Sequence, residues 1–183
     1  MTLIPPFNPD NLKFIVYNAK KDQLPILKFA QSNGEDPLKV QEYYDHFRTR
    51  KLPKNTLFYA LRYEEQWIGF FSAGFTILNK SEVGAIDGKG LDSLVMKTDE
   101  NFTYKALLIH KIGIDQKYRC FGIGKYILLF CIGLAKSRWN CAQVKIVVFR
   151  TTRSLAEKIY YPKYRFSYVG KDKKLVWAYK KIC

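Results

Sequence analysis

Apolar positions along the chain change period several times, and each change marks an element. Leu12–Tyr17 alternates apolar and polar residues as a first strand, and Leu24–Ser32 has short helical spacing that Asn33-Gly34 stops. A second helix is predicted from Pro37, whose missing N–H is harmless in a first turn. Glu35 and Asp36 suit its positive end, Arg48, Arg50 and Lys51 its negative end, and Pro53 closes it. Thr56–Arg62 and Trp67–Leu78 are rich in aromatic and β-branched residues and flank the polar Tyr63-Glu64-Glu65-Gln66, which predicts an antiparallel hairpin. Asn79 to Thr103 carries glycines and charges with little period, and a short helix is placed at Leu91–Lys97.

The pattern sharpens after Lys105. Ala106–Ile114 reads as an apolar strand, Gln116–Gly124 as a polar, glycine-bearing turn and Lys125–Ser137 as a strongly apolar helix. Gln143–Phe149 is a further strand, and Ser154–Tyr161 is helical until Pro162. Phe166–Val169 and Leu175–Tyr179 then pair around Gly170-Lys171-Asp172-Lys173. The order is mixed α/β, antiparallel at its beginning and end. No repeat, low-complexity tract or linker interrupts it, so residues 1–183 are expected to form a single domain.

Composition adds one asymmetry. Residues 1–100 hold 13 basic and 13 acidic side chains, whereas residues 101–183 hold 18 basic and three acidic ones, so the whole net charge of +15 belongs to the second half. That excess points to an anionic partner, with a solvated basic surface as the plain alternative. Cys120, Cys131, Cys141 and Cys183 form no close pair of metal-ligand spacing and only two histidines exist, so no metal and no disulfide framework are expected. Cys131 reads as core packing, and Cys120 as a backbone position in the glycine turn. The longest apolar stretch, Tyr126–Ala135, is far short of the roughly 20 residues that cross a bilayer, and no leader pattern opens the chain; a cytoplasmic protein without a membrane partner is expected.

The chemistry is concentrated in Ile112-Gly113-Ile114-Asp115-Gln116-Lys117-Tyr118-Arg119-Cys120-Phe121-Gly122-Ile123-Gly124-Lys125, a strand that turns into a helix. A first helical turn has unpaired N–H groups and the positive end of the macrodipole, and Gly122 and Gly124 remove side chains that would keep a pyrophosphate away. Arg119 and Lys125 could add charge. A dinucleotide fingerprint lacks its third glycine and later acidic residue here, and no Gly-Lys-Ser/Thr exists for a P-loop.

Arg119-x-x-Gly122-x-Gly124 resembles the Gln/Arg-x-x-Gly-x-Gly/Ala signature of the GNAT (Gcn5-related N-acetyltransferase) family. Ala156-x-x-Ile159-Tyr160, with Lys163 and Arg165-Phe166, resembles that family's Ala-x-x-Leu-Tyr-x-x-x-Gly-Phe segment. Two departures stand out: Arg153 replaces a frequent asparagine, and Arg165 replaces the glycine before the final phenylalanine. The resemblance implies a mixed, mostly antiparallel central sheet flanked by helices, with acetyl-CoA (coenzyme A) as cofactor. By it, the main chain of Ile112, Gly113 and Ile114 binds the pantetheine arm and meets an oxyanion with backbone N–H. Arg119, Cys120, Phe121, Gly122, Ile123, Gly124 and Lys125 hold the pyrophosphate. Tyr160 matches the catalytic tyrosine beside the cofactor sulfur, where a phenol can protonate a departing thiolate; packing alone is the other role open to it.

The reaction so implied is direct attack of a primary amine on the acetyl thioester. Glu64, Glu65, Glu82 and His110 are the candidates for a general base, and none is assigned. Lys145, Arg150, Arg153, Lys158, Lys163, Arg165, Lys171, Lys173, Lys174, Lys180 and Lys181, interleaved with Tyr160, Tyr161, Tyr164, Tyr168 and Trp177, have the composition of an RNA-binding face. The helix from Pro37, the hairpin, the long excursion and Leu107-Leu-Ile-His-Lys-Ile-Gly-Ile are also similar in arrangement to GNAT toxins that acetylate the amino acid on tRNA. Expected partners are therefore an amine acceptor, tRNA or another anionic molecule on the basic half, and a second copy of the chain. A protein lysine, an N-terminus or a small amine is the alternative acceptor, and a non-catalytic GNAT-fold module binding RNA or protein is the non-enzymatic alternative.

Overall fold

The computed structural model describes residues 7–18, 22–30, 34–49, 56–79, 103–137, 144–169 and 174–182. The strands are β1 (Leu12–Val16), β2 (Leu57–Tyr63), β3 (Gln66–Asn79), β4 (Thr103–Ile114), β5 (Ile146–Thr152), β6 (Ser167–Val169) and β7 (Leu175–Lys181). They form a seven-stranded sheet in the order β1-β2-β3-β4-β5-β7-β6. β1–β2, β5–β7 and β6–β7 run antiparallel and β4–β5 parallel. The helices are α1 (Val40–Thr49), α2 (Ile123–Ser137) and α3, three successive turns at Arg153–Leu155, Ala156–Tyr160 and Tyr161–Tyr164. The mixed α/β class and the mostly antiparallel sheet agree with the sequence reading.

Packing divides the chain into two compact units, Met1–Ser72 with Lys111–Leu128 and Ala73–His110 with Leu129–Cys183. The first has an aromatic core. Phe58 and Phe70 stack with centroids 5.0 Å apart, Phe29 meets Tyr44 and Phe70 edge-on at 4.9 and 5.1 Å, and Phe47 closes on Phe58 at 5.9 Å. α1 supplies this core through Val40, Tyr44 and Phe47, one helical face. Two backbones come very close here: a Cβ on Gly69 would lie 2.3 Å from the Gly113 carbonyl oxygen, and one on Gly113 would lie 2.5 Å from Phe70 Cε1 and 2.9 Å from the Phe29 ring. The second unit is built on β5, whose Ile146, Val147, Val148 and Phe149 are all buried, as in a strand covered on both faces.

Several expectations are corrected. The helix expected at Leu24–Ser32 does not form in its described part: residues 24–29 have no regular secondary structure. Their backbone groups bond elsewhere. Pro25 O accepts from Tyr44 Oη at 2.9 Å, Leu27 O from Gln41 Nε2 at 3.1 Å and Lys28 O from Gln116 N–H at 3.0 Å, while Phe29 N–H donates to Gln41 Oε1 at 2.8 Å. The Tyr44 and Gln41 side chains and the Gln116 amide thereby satisfy what i→i−4 bonds would have satisfied. α1 starts at Val40 because Asp36 takes the N–H groups of Val40 and Gln41, both at 2.8 Å, so Pro37 precedes the helix proper. Pro162 does not end α3. The π turn at Ala156–Tyr160 closes with Tyr161 N–H on Ala156 O, and Pro162 then falls in the first turn of the next segment, where its N–H is not needed. The helix stops instead at Arg165, left-handed at φ 56°, which explains why a glycine suits that position. The hairpin turn is Glu64-Glu65, both left-handed at φ 45° and 67°. The helix at Leu91–Lys97, Pro53 and the turn at Gly170-Lys171-Asp172-Lys173 lie outside the described residues.

Gly69→Ala must move backbone rather than a side-chain tip. It is expected to cost about 3 kcal/mol in urea denaturation. A loss within experimental error would show that the two strands have room to separate.

Candidate active site

At its C-terminal end β4 runs into the glycine loop, and Asp115 fixes the exit. Its carboxylate accepts Lys28 N–H on Oδ2 and Lys117 N–H on Oδ1, both at 3.0 Å, while its own N–H donates to Ile68 O at 2.8 Å. A short 3₁₀ turn follows at Gln116–Tyr118, capped by that carboxylate. Gln116 Nε2 donates to Ala30 O at 2.5 Å, and Tyr118 Oη bonds Gln66 Oε1. The chain then passes through two left-handed residues, Cys120 (φ 71°) and Gly122 (φ 74°), before α2 begins at Ile123. The sequence marks Asp115 only as an aspartate at a strand end, a residue type that caps the turn that follows it.

Around Gly122 and Gly124 a Cβ would meet nothing within 4 Å. The helix N-terminus is thus approachable by a ligand, and its first-turn amides lack i−4 acceptors. Ile123 is buried and anchors the turn, and Lys125 is exposed with its ammonium 5.8 Å from the Tyr126 ring centre. The chemistry of this set fits a pyrophosphate. Arg119 lies differently from a phosphate-facing cation: its guanidinium bonds Phe29 O and, at 3.4 Å, Ile114 O, so it ties segment 24–30 to β4. Cys120 is exposed in the loop. Phe121 packs toward Phe7, centroids 6.2 Å apart, beside the Phe7–Tyr63 stack.

The β4–β5 ladder ends at the pair Ile109↔Phe149, so Ile112, Gly113 and Ile114 lie beyond its last pair. Gly113 O points at Gly69 of β3.

In the second unit, Tyr160 ends the π turn of α3. Its ring meets Phe149 edge-on at 4.8 Å and approaches Tyr164 at 6.4 Å. The residue is partly exposed as a whole, but its hydroxyl end is deep, and burial pushes the phenol up to about 12; the nearby Thr151 hydroxyl works in the opposite direction. Thr151 Oγ1 nevertheless makes no hydrogen bond of good geometry. The Thr151 hydroxyl is thus near enough to act on the phenol electrostatically without being aligned for a hydrogen bond. A π turn shifts the residues after it around the helix by about 100° relative to an α turn, a device frequent at functional sites.

Of the candidate bases, Glu64 and Glu65 are turn residues: Glu64 accepts from Asn11 Nδ2, and Glu65 pairs with Lys13 and Arg62. His110 lies half-buried on β4, and Glu82 is outside the described residues. Among the described residues no group of three His, Cys, Asp or Glu could hold a metal, and no helix is long and apolar enough to cross a membrane. Cys131 is buried, and desolvation raises its thiol to about 12, an inert state. Arg150, Lys158, Lys163, Arg165 and Lys174 are exposed, Arg153 binds Glu157 at 2.7 Å, and Lys180 Nζ donates to Tyr164 O at 2.8 Å. Tyr160 belongs to the packing on Phe149, so it is not part of an exposed aromatic face; Lys171 and Lys173 lie outside the described residues.

The raised phenol has a consequence for stability. The folded state holds the proton more tightly than the unfolded chain, so no contribution changes below pH 10 and stability is lost as pH rises from 10 to about 12. Tyr160→Phe is expected to make the alkaline decline in thermal melts shallower without abolishing it, since burial raises the Tyr44 phenol and the Cys131 thiol as well. An unchanged decline would place the phenol in a solvated setting.

No protein-family profile and no curated protein sequence matches the chain. Solved structures match it in shape. One is a bacterial toxin, with TM-score 0.65 and 14% identity over 93% of this chain and 90% of that one. Another is AtaT complexed with acetyl-methionyl-tRNAfMet, with TM-score 0.60 and 9% identity over 91% and 92%. A third is a GNAT family acetyltransferase from Elizabethkingia anophelis with acetyl-CoA bound, with TM-score 0.50 and 16% identity over 94% and 99%. At such identities the likeness is one of architecture, and by it the chain has the GNAT fold in a form similar to bacterial toxins.

Proposed function

We propose that the protein is an acetyl-CoA-dependent N-acetyltransferase whose acceptor is the amino acid carried by a charged tRNA. The observation that carries the reading is the glycine loop: a helix N-terminus at the end of β4, with open space over both Gly122 and Gly124. In this reading the first-turn amides of α2 hold the pyrophosphate, with Lys125 adding charge. The main chain of Ile112, Gly113 and Ile114 takes the pantetheine arm as an added strand, which their position beyond the β4–β5 ladder supports. When bound, acetyl-CoA supplies a thioester acyl group and a thiol leaving group.

Tyr160 is the general acid. A phenol at about 12 is fully protonated at neutral pH and keeps its proton ready at Oη. Asp115 and Arg119 act on the loop's shape, because their bonds reach segment 24–30. No base is assigned: the α-amino group of an aminoacyl ester has a low pKa and is already largely neutral.

The acceptor rests on two supports. The second half carries 18 basic and three acidic side chains, more than the phosphates of one cofactor require. A structural neighbour, AtaT, has been solved with acetyl-methionyl-tRNAfMet.

Labelled acetyl-CoA should pass its label to charged tRNA and not to uncharged tRNA, basic peptides or polyamines. Gly124→Glu, which places a carboxylate where phosphate should sit, should weaken acetyl-CoA binding by ~100-fold or more without loss of melting temperature. Label on peptides or polyamines alone would transfer the activity to another amine class. Undiminished acetyl-CoA binding by Gly124→Glu would remove the loop from the site.

A further inference from the structure

Side chains alternate across a strand, so Phe149 and Thr151 of β5 share one face of the sheet. Tyr160 lies on that face, edge-on to Phe149 at 4.8 Å. Thr151 is the next residue along it and is 1% exposed, yet its Oγ1 has no well-formed hydrogen bond. A buried hydroxyl in that state is destabilising, because it has given up water without gaining a partner. Valine has the same shape and a higher preference for strands, so packing alone gives no reason for the oxygen. The neighbouring Thr152 has a separate task, its Oγ1 accepting Leu155 N–H at 3.4 Å to cap α3.

We infer that Thr151 is the positioning residue for Tyr160: its hydroxyl aligns with the phenol oxygen only when the phenol gives up its proton. The inference rests on the reading of Tyr160 as acid. The amine nitrogen forms the new bond to the acetyl carbon as the carbon–sulfur bond breaks with its electron pair on sulfur. Tyr160 Oη gives that sulfur its proton, Thr151 Oγ1–H donates to the phenolate, the amine loses its proton to water, and a proton from water restores the phenol. Charge and protons balance, and the hydroxyl left without a partner at rest is used at the one moment when Tyr160 is an anion. Burial among Phe149, Tyr164 and β5 would otherwise make that anion costly. The direction of Thr151's influence on the phenol, favouring ionisation, agrees.

The test uses Thr151→Val and Thr151→Ser in the full chain, with 3,5-difluorotyrosine at position 160 to bring the phenol's titration into an accessible range. In the protein without acetyl-CoA, Thr151→Val should raise the titration midpoint by about one unit, and Thr151→Ser should leave it in place. With natural Tyr160, Thr151→Val should lower kcat about tenfold with the KM for acetyl-CoA retained, and Thr151→Ser should restore turnover. Its melting temperature should not fall, since it removes an unsatisfied hydroxyl; should it fail to fold, Thr151→Ala gives the same two readouts. A midpoint unmoved in Thr151→Val, or turnover equal to wild type, overturns the inference. If Tyr160→Phe retains full turnover the acid role itself is lost, an outcome distinct from an unmoved midpoint.

Discussion

The carboxylate of Asp115 fixes the end of β4, and the candidate cofactor loop depends on it. Three backbone groups meet at this residue: Lys28 and Lys117 donate to its oxygens, and its own amide donates to Ile68. Segment 24–30, which has no helix or ladder of its own, is held there together with the Gln116 and Arg119 side chains. The loop enters its two left-handed residues from this fixed point, so Gly122 and Gly124 meet open space rather than a neighbouring chain. Charge at the loop is secondary to this geometry, because Arg119 spends its guanidinium on carbonyl oxygens.

Tyr160 is positioned by a comparable departure from regularity. An α-helix through residues 153–164 would place its side chain about 100° away and would set Pro162 in a helix interior. The π turn resolves both, and Arg165 accepts a left-handed backbone to end the helix in time for Phe166 to enter the core. Such irregular turns persist where side-chain direction matters more than helix stability.

Much of this was legible in the sequence. Period-2 and period-3.6 patterns located β1 to β5, β7 and α2 to within a few residues, and the glycine spacing located the loop. What escaped was tertiary in origin. Leu24–Ser32 has helical spacing, but the backbone groups of Pro25, Lys28 and Phe29 are claimed by Tyr44, Asp115 and Gln41, residues 12 to 87 positions away in the chain. Gly113 looked like a residue for cofactor contact, yet its missing Cβ is first required by Phe29 and Phe70. Thr151 carried no signal in a β-branched strand until its burial beside Tyr160 was known.

Amide hydrogen exchange with and without acetyl-CoA tests the central claim most directly, because it reads the loop's own N–H groups. The amides of Ile123 and Gly124, together with those of Ile112 and Ile114, should become protected on addition of acetyl-CoA, while those of α1 stay unchanged. Protection confined to other parts of the chain would contradict the account.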